Sequence, residues 1–166
     1  PKPQTPNPCR LIKSSPIMSD SEMVMLEQIP REWEVVCKAV WMKYGPSNKS
    51  LDVKEQVTGM SVSEDSIEFT KLKSTKKWMI QQYSIVVQRF DFKRRVLTHL
   101  ERPLHTQFSM LMAIRESSYY KSSETKLVEY RKRFTGVEKN LIRSWLGKAH
   151  ASGMEALSKL CIEYSS

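Results

Sequence analysis

Lysine is the residue type on which any chemistry in this chain would rest. Eight basic residues (Lys71, Lys73, Lys76, Lys77, Arg89, Lys93, Arg94, Arg95) fall within residues 71–95 against one acid, Asp91. Ammonium and guanidinium groups at this density hold anions: phosphate, carboxylate, nucleic acid or an acidic membrane face. A second group, Arg131-Lys132-Arg133, lies inside a segment that reads as a strand. The other reactive residue types are scattered. His99, His105 and His150 fall on different elements with no metal-ligand spacing. None of Cys9, Cys37 and Cys161 has a neighbouring histidine to mark it as a nucleophile. GxSxG, the P-loop, a GxGxxG after a strand and HExxH are all missing from the sequence. A binding or carrier protein is therefore expected, with no catalytic residues, metal or cofactor.

The chain has 166 residues, 27 Lys and Arg against 18 Asp and Glu, a formal net charge of +9, and 40% hydrophobic residues. That length predicts one domain, which buries roughly 70% of its unfolded surface. Aromatic residues make up 9%, including four Trp, too many for a disordered chain. No apolar run approaches the roughly 18 to 20 residues of a membrane-spanning helix. Three widely spaced cysteines supply neither a disulfide framework nor a zinc cage. No acid precedes Asp20, and five of the eight prolines (Pro1, Pro3, Pro6, Pro8, Pro16) lie before it. Residues 1–20 are therefore expected to form a basic extended arm, closed to helix and ladder strand alike. Residues 21–164 are expected to form the single domain.

The elements that must position the lysines follow from periodicity. Met23, Val24, Met25, Leu26 and Ile29 make a short apolar run that fits a buried strand. After Pro30, which suits a first helical turn, Trp33, Val36, Cys37, Val40, Trp41 and Tyr44 recur at helical spacing. Gly45-Pro46-Ser47-Asn48 ends that helix. Strands are predicted over 51–60, 66–72, 77–92, 94–104, 108–120 and 125–134, and connections this short impose antiparallel pairing. From Val137 a helix of roughly 25 residues is predicted, with an apolar stripe of Leu141, Trp145, Ala149, Gly153, Leu157 and Leu160 and with Ile142, Leu146 and Ala156 beside it. Its middle is thin, and each helix-interior glycine costs on the order of 1 kcal/mol. Gly147 and Gly153 thus require either close approach of strand backbones or room for a ligand beside the helix. The whole predicts an α+β fold: a curved antiparallel meander of about six to seven strands wrapped around a long C-terminal helix, with a short N-terminal helix. A hollow between sheet and helix is expected.

Three stretches carry a family resemblance. Trp33-Glu34-Val35-Val36 through Ala39, then Lys43-Tyr44-Gly45-Pro46, is similar to a Trp-x-x-Val…Ala…Lys/Arg-Tyr-Pro-Asn-Pro signature. Lys71-Leu72-Lys73-Ser74-Thr75 is similar to Arg-Leu-Leu-Ser-Thr. Lys148, with Gly153-Met154-Glu155-Ala156-Leu157-Ser158-Lys159-Leu160, is similar to Lys-Gly-x-x-Ala-Met-Glu…Lys-Leu. Together they resemble the PRELI-like (slowmo/Ups) domain over about residues 23–160. The resemblance implies a helix-grip-like lipid-binding fold that transfers an anionic phospholipid, phosphatidic acid or phosphatidylserine, between mitochondrial membranes. It places the protein in the intermembrane space with a small helical-hairpin partner stapled by twin Cx9C motifs. Carried over by position, Lys43 and Lys148 contact the phosphate headgroup, and Lys71, in the place of the family's strand arginine, is expected to bind the headgroup with them.

Physical chemistry agrees with such a role. Each buried methylene is worth roughly 0.8 kcal/mol, so a carrier must enclose acyl chains in an apolar hollow. A buried phosphate must then meet a cation, because an unpaired buried anion costs several kcal/mol. Lys73, Lys76, Lys77, Arg94 and Arg95 are expected to form a basic patch facing an anionic membrane. One departure opens an alternative. The family inserts a lid after Arg-Leu-Leu-Ser-Thr, whereas here Thr75 leads through Lys76 and Lys77 straight to Trp78. A lidless, non-transporting module would instead hold RNA or an acidic protein on its basic strands, where Trp78, Tyr83, Phe90 and Phe92 interleave with the charges.

Overall fold

A computed structural model describes residues 12–13, 16–18, 21–43, 53–77, 80–106, 109–124, 126–138 and 140–165. The elements are β1 (Ile12–Lys13), β2 (Ile17–Met18), β3 (Glu22–Ile29), α1 (Trp33–Met42), β4 (Val53–Val62), β5 (Ser66–Lys77), β6 (Ile80–Asp91), β7 (Val96–Thr106), α2 (Ser109–Met112), β8 (Arg115–Glu124), β9 (Leu127–Thr135) and α3 (Asn140–Glu163). The strands form one sheet in the order β1-β3-β9-β8-β7-β6-β5-β4, with β2 also paired to β3. From β4 to β9 each strand pairs antiparallel with the next, and β9 then pairs with β3. The predicted α+β meander around a terminal helix is the fold observed.

Three local expectations are corrected. The arm was expected to be closed to ladder strands, yet Ile12 pairs with Gln28 and Ile17 with Val24. Neither two-residue piece contains a proline, and a sheet edge tolerates Pro16 between them. The strand expected over 108–120 is instead α2 followed by β8. Its apolar run lacks alternation, and Arg115 Nη1 donates to the Met112 carbonyl at 2.6 Å, holding the turn. Gly136 makes the opposite turn possible: its φ is +76°, and a β-carbon there would stand 2.4 Å from the Ala113 carbonyl oxygen. The third correction is the phase of α3. Its buried residues are Ile142, Leu146, His150, Met154, Leu157 and Cys161, one position on from the expected stripe over most of its length. Leu141 is 83% exposed and Trp145 45%. One residue is about 100° of helix, and the polar His150 had concealed the true face.

Burial gathers at two centres. Trp33, Val36, Cys37 and Val40 of α1 meet Phe90, Leu97, Tyr120, Val128 and Tyr130 of the sheet and Met154, Leu157 and Cys161 of α3. At the other end, Met23, Met25, Ile114, Phe134, Val137, Ile142 and Leu146 form a second cluster. Trp41 packs on Phe69 with ring centroids 4.5 Å apart. The space between these clusters is where the inward side chains become charged.

Candidate ligand site between the sheet and the long helix

From Lys71 to Lys73 the alternation of β5 is inverted relative to its hydropathy. Leu72 invites an inward position, but Lys71 and Lys73 are the inward residues. Lys71 is buried, donates to Glu55 of β4 at 3.0 Å, and lies 4.0 Å over the Trp41 ring. Lys73 bonds Glu101 of β7 at 2.6 Å. Glu101 faces Glu116 of β8 in register, and Glu116 bonds Lys132 of β9 at 2.6 Å. His99 stands 3.6 Å from Glu101 and is held by Gln88 at 3.1 Å. A band of paired charges therefore crosses the inner sheet face. Burial alone would raise the Glu101 carboxyl, but Lys73 and His99 outweigh it and hold the group below the ordinary carboxylate range. Glu116 is likewise pushed up by burial, then brought below its usual value chiefly by Lys132.

This band is one wall of a cavity of about 570 Å³ between the sheet and α3, within the roughly 300–1,000 Å³ of small-molecule sites. Ala149, Ser152 and Gly153 form part of the helix side. Of the two explanations for the thin helix, close approach of a strand backbone does not hold at Gly153: a β-carbon there would stand 2.9 Å from Lys43 Nζ. Lys43, at the end of α1, thus crosses the helix at its glycine. The cavity is graded. Leu111, Ile114, Phe134, Trp145 and Leu146 make one part apolar. Five lysines (Lys43, Lys73, Lys76, Lys132, Lys148) face only two glutamates, Glu101 and Glu116, in the lining. Among the described residues, neither Lys76 nor Lys148 forms an ion pair.

Beside the cavity, His150 of α3 meets Glu27 of β3 at 2.8 Å and stacks on Tyr130, the rings within 2° of parallel. Burial, reinforced by Glu116, raises the Tyr130 hydroxyl well above its usual range, so the ring stays neutral. Burial also pushes the Cys37 thiol up, with Glu34 adding to the effect, so it is no nucleophile.

The sequence-predicted residues divide. Lys43 and Lys148 come together on the cavity although they belong to different helices. Lys71 does not join them; its partners are Glu55 and Trp41, a structural role. The expected basic patch is dispersed. Lys73 points inward, Lys76 sits on the cavity wall, and the Lys77 side chain lies outside the described residues, as does Trp78. Arg94 and Arg95 occupy the β6–β7 turn at the far end of the hairpin, roughly 35 Å of extended strand away. Arg95 bonds Glu34 at 2.8 Å. Of the interleaved aromatics, Phe90 is core, and the half-exposed Phe92 packs edge-on to Trp33 at 6.2 Å. Sequence reasoning missed Glu101 and Glu116 and marked Lys132 only as one of a basic group; their pairing appears once cross-strand register is known.

His99, Glu101 and Glu116 bring possible ligand atoms within 4.8 Å of one another. Each carboxylate already has a lysine at bonding distance. A second hollow, about 830 Å³, lies on the outer sheet face beside Leu26, Leu100, Tyr119, Arg131 and Arg133; among the described residues its lining is all strand.

No family model matches the sequence, and no curated protein matches it. Solved structures do match in shape. TTHA0849 from Thermus thermophilus is 13% identical with a TM-score of 0.61, over 87% of this chain and 99% of that one. The Zhui aromatase/cyclase from Streptomyces sp. R1128 is 5% identical with a TM-score of 0.58, over 87% and 95%. Human STARD10 is 9% identical with a TM-score of 0.55, over 98% and 76%. At such identities the likeness is one of fold alone. The chain has the helix-grip fold, in which a bent antiparallel sheet closes on a long terminal helix.

Proposed function

We propose that this protein is a non-enzymatic carrier that binds one anionic amphiphile, an anionic phospholipid above all, in the cavity between the sheet and α3. The observation that carries the reading is the convergence of Lys43 and Lys148 on a cavity that is apolar in one part and rich in lysine elsewhere. An acyl chain gains by leaving water along Leu111, Ile114, Phe134 and Leu146. A phosphate gains charge-assisted hydrogen bonds from Lys43 and Lys148. The paired band supplies polar contacts without adding net charge. The fold is shared with STARD10, and a carrier role fits the resemblance to the PRELI-like family. On that resemblance the reading extends to phosphatidic acid or phosphatidylserine, the mitochondrial intermembrane space and a twin-Cx9C hairpin partner. The division of the basic window between the cavity wall and the β6–β7 turn favours the carrier over a module that holds RNA or an acidic protein.

Native mass spectrometry of protein purified from cells, followed by lipid extraction, tests the proposal. Anionic phospholipid is expected with the wild type and is lost on charge reversal at Lys43 and Lys148. Protein that stays empty when offered phosphatidic acid refutes it.

A further inference from the structure

Residues 140–154 of α3 contain no acid. Over those residues, about four turns, one face is left uncovered. Leu141 and Trp145 stand one turn apart on it, and Lys148 follows, also exposed. Trp145, Lys148, Ala149 and Ser152 also line the cavity, so the face borders its opening; Lys76 lines the same cavity from β5 and is exposed too. Large apolar side chains held in water beside a ligand opening mark a contact surface.

We propose that this face docks on an anionic lipid bilayer, with Leu141 and Trp145 entering the boundary between headgroups and acyl chains and Lys148 and Lys76 meeting lipid phosphates. The inference rests on the cavity being a lipid site and says by which edge the protein reaches its source. Two features favour a bilayer over a protein partner. Tryptophan is suited to the headgroup level, with an apolar body and a polar N–H. The acid-free stretch with Lys148 complements an anionic leaflet, and a bilayer presents phosphate immediately above hydrocarbon, as this face presents lysine beside Leu141 and Trp145. Leu141 is not a wall of the cavity, so docking and ligand binding can be separated.

The experiment uses vesicles of phosphatidylcholine with one quarter phosphatidic acid, carrying brominated acyl chains. Tryptophan fluorescence should be quenched on mixing, and Trp145→Phe should remove most of that quenching. Leu141→Ser should weaken vesicle affinity about tenfold while leaving co-purified lipid unchanged, and added salt should weaken docking. Lys43→Glu should lose bound lipid yet still dock. Vesicle binding by Leu141→Ser equal to the wild type, with lipid retained, overturns the docking surface and leaves the cavity reading standing. Trp145 unquenched in vesicle-bound protein also overturns it. So does a concentration-dependent dimer that Leu141→Ser dissociates while vesicle binding persists, since the face would then belong to a second copy.

Discussion

Lys43 passes over Gly153, its ammonium nitrogen 2.9 Å from where a β-carbon at that position would stand. A residue at the end of the first helix is thereby laid against the thinnest point of the last, at the wall of the cavity. The glycine weakens its helix and in return admits a cation.

Gly153→Ala separates those two effects. The intruding methyl meets only the far end of a flexible side chain, so the fold should tolerate it, and helix propensity should add up to ~1 kcal/mol. Displacing Lys43 should lower affinity for an anionic amphiphile about tenfold, the worth of one charge-assisted hydrogen bond. Unfolding by urea and lipid titration on the same variant measure both; unchanged affinity would detach Lys43 from the site.

Gly136→Ala should behave in the opposite way. The position has φ +76°, and the new β-carbon would collide with backbone, the Ala113 carbonyl. A loss of at least about 2 kcal/mol is expected, read as a lowered thermal midpoint. A midpoint equal to the wild type would contradict the turn geometry.

The band of paired charges should resist the loss of one partner less well than the loss of both. Lys73→Met leaves the buried Glu101 facing Glu116 and should cost about 3 kcal/mol in denaturant unfolding. Lys73→Met combined with Glu101→Leu should recover most of it. Equal losses in the single and double variants would show that the pair contributes little.

Acid should act through the same band. Glu101 and Glu116 are held below their usual range in the folded protein, whereas unfolded glutamate titrates near ~4.3. Their contribution is present above that pH and is lost as pH falls below it towards the folded values, because the unfolded state then binds more protons. The urea midpoint should therefore fall between about pH 5 and pH 3, and less steeply in Glu101→Gln. A flat midpoint over that range would contradict the assignment.

How far the sequence could be read depends on what each signal reports. The meander was legible because its connections are too short for parallel pairing, and the helices because Trp33, Val36 and Val40, or Leu141, Trp145 and Leu157, recur at helical spacing, although the second set gave the wrong phase. Lys43 and Lys148 were legible only through a resemblance, since nothing local marks them among 27 basic residues. The charged wall was not legible because Lys71-Leu72-Lys73 alternates against its hydropathy: tertiary pairing with Glu55 and Glu101 puts both lysines inside, where Lys73 was expected to face a membrane. Leu141 and Trp145 were misread for the converse reason. Apolar residues were assigned to the core, when here they stand at an opening.

Ala149→Trp tests the central claim most directly. Ala149 is exposed on α3 and lines the cavity, so an indole there fills the hollow without entering the core. Native mass spectrometry of that variant, offered phosphatidic acid beside the wild type, should show folded protein with no bound lipid while the wild type carries one molecule. Equal lipid loading in both would place the ligand somewhere other than between sheet and helix.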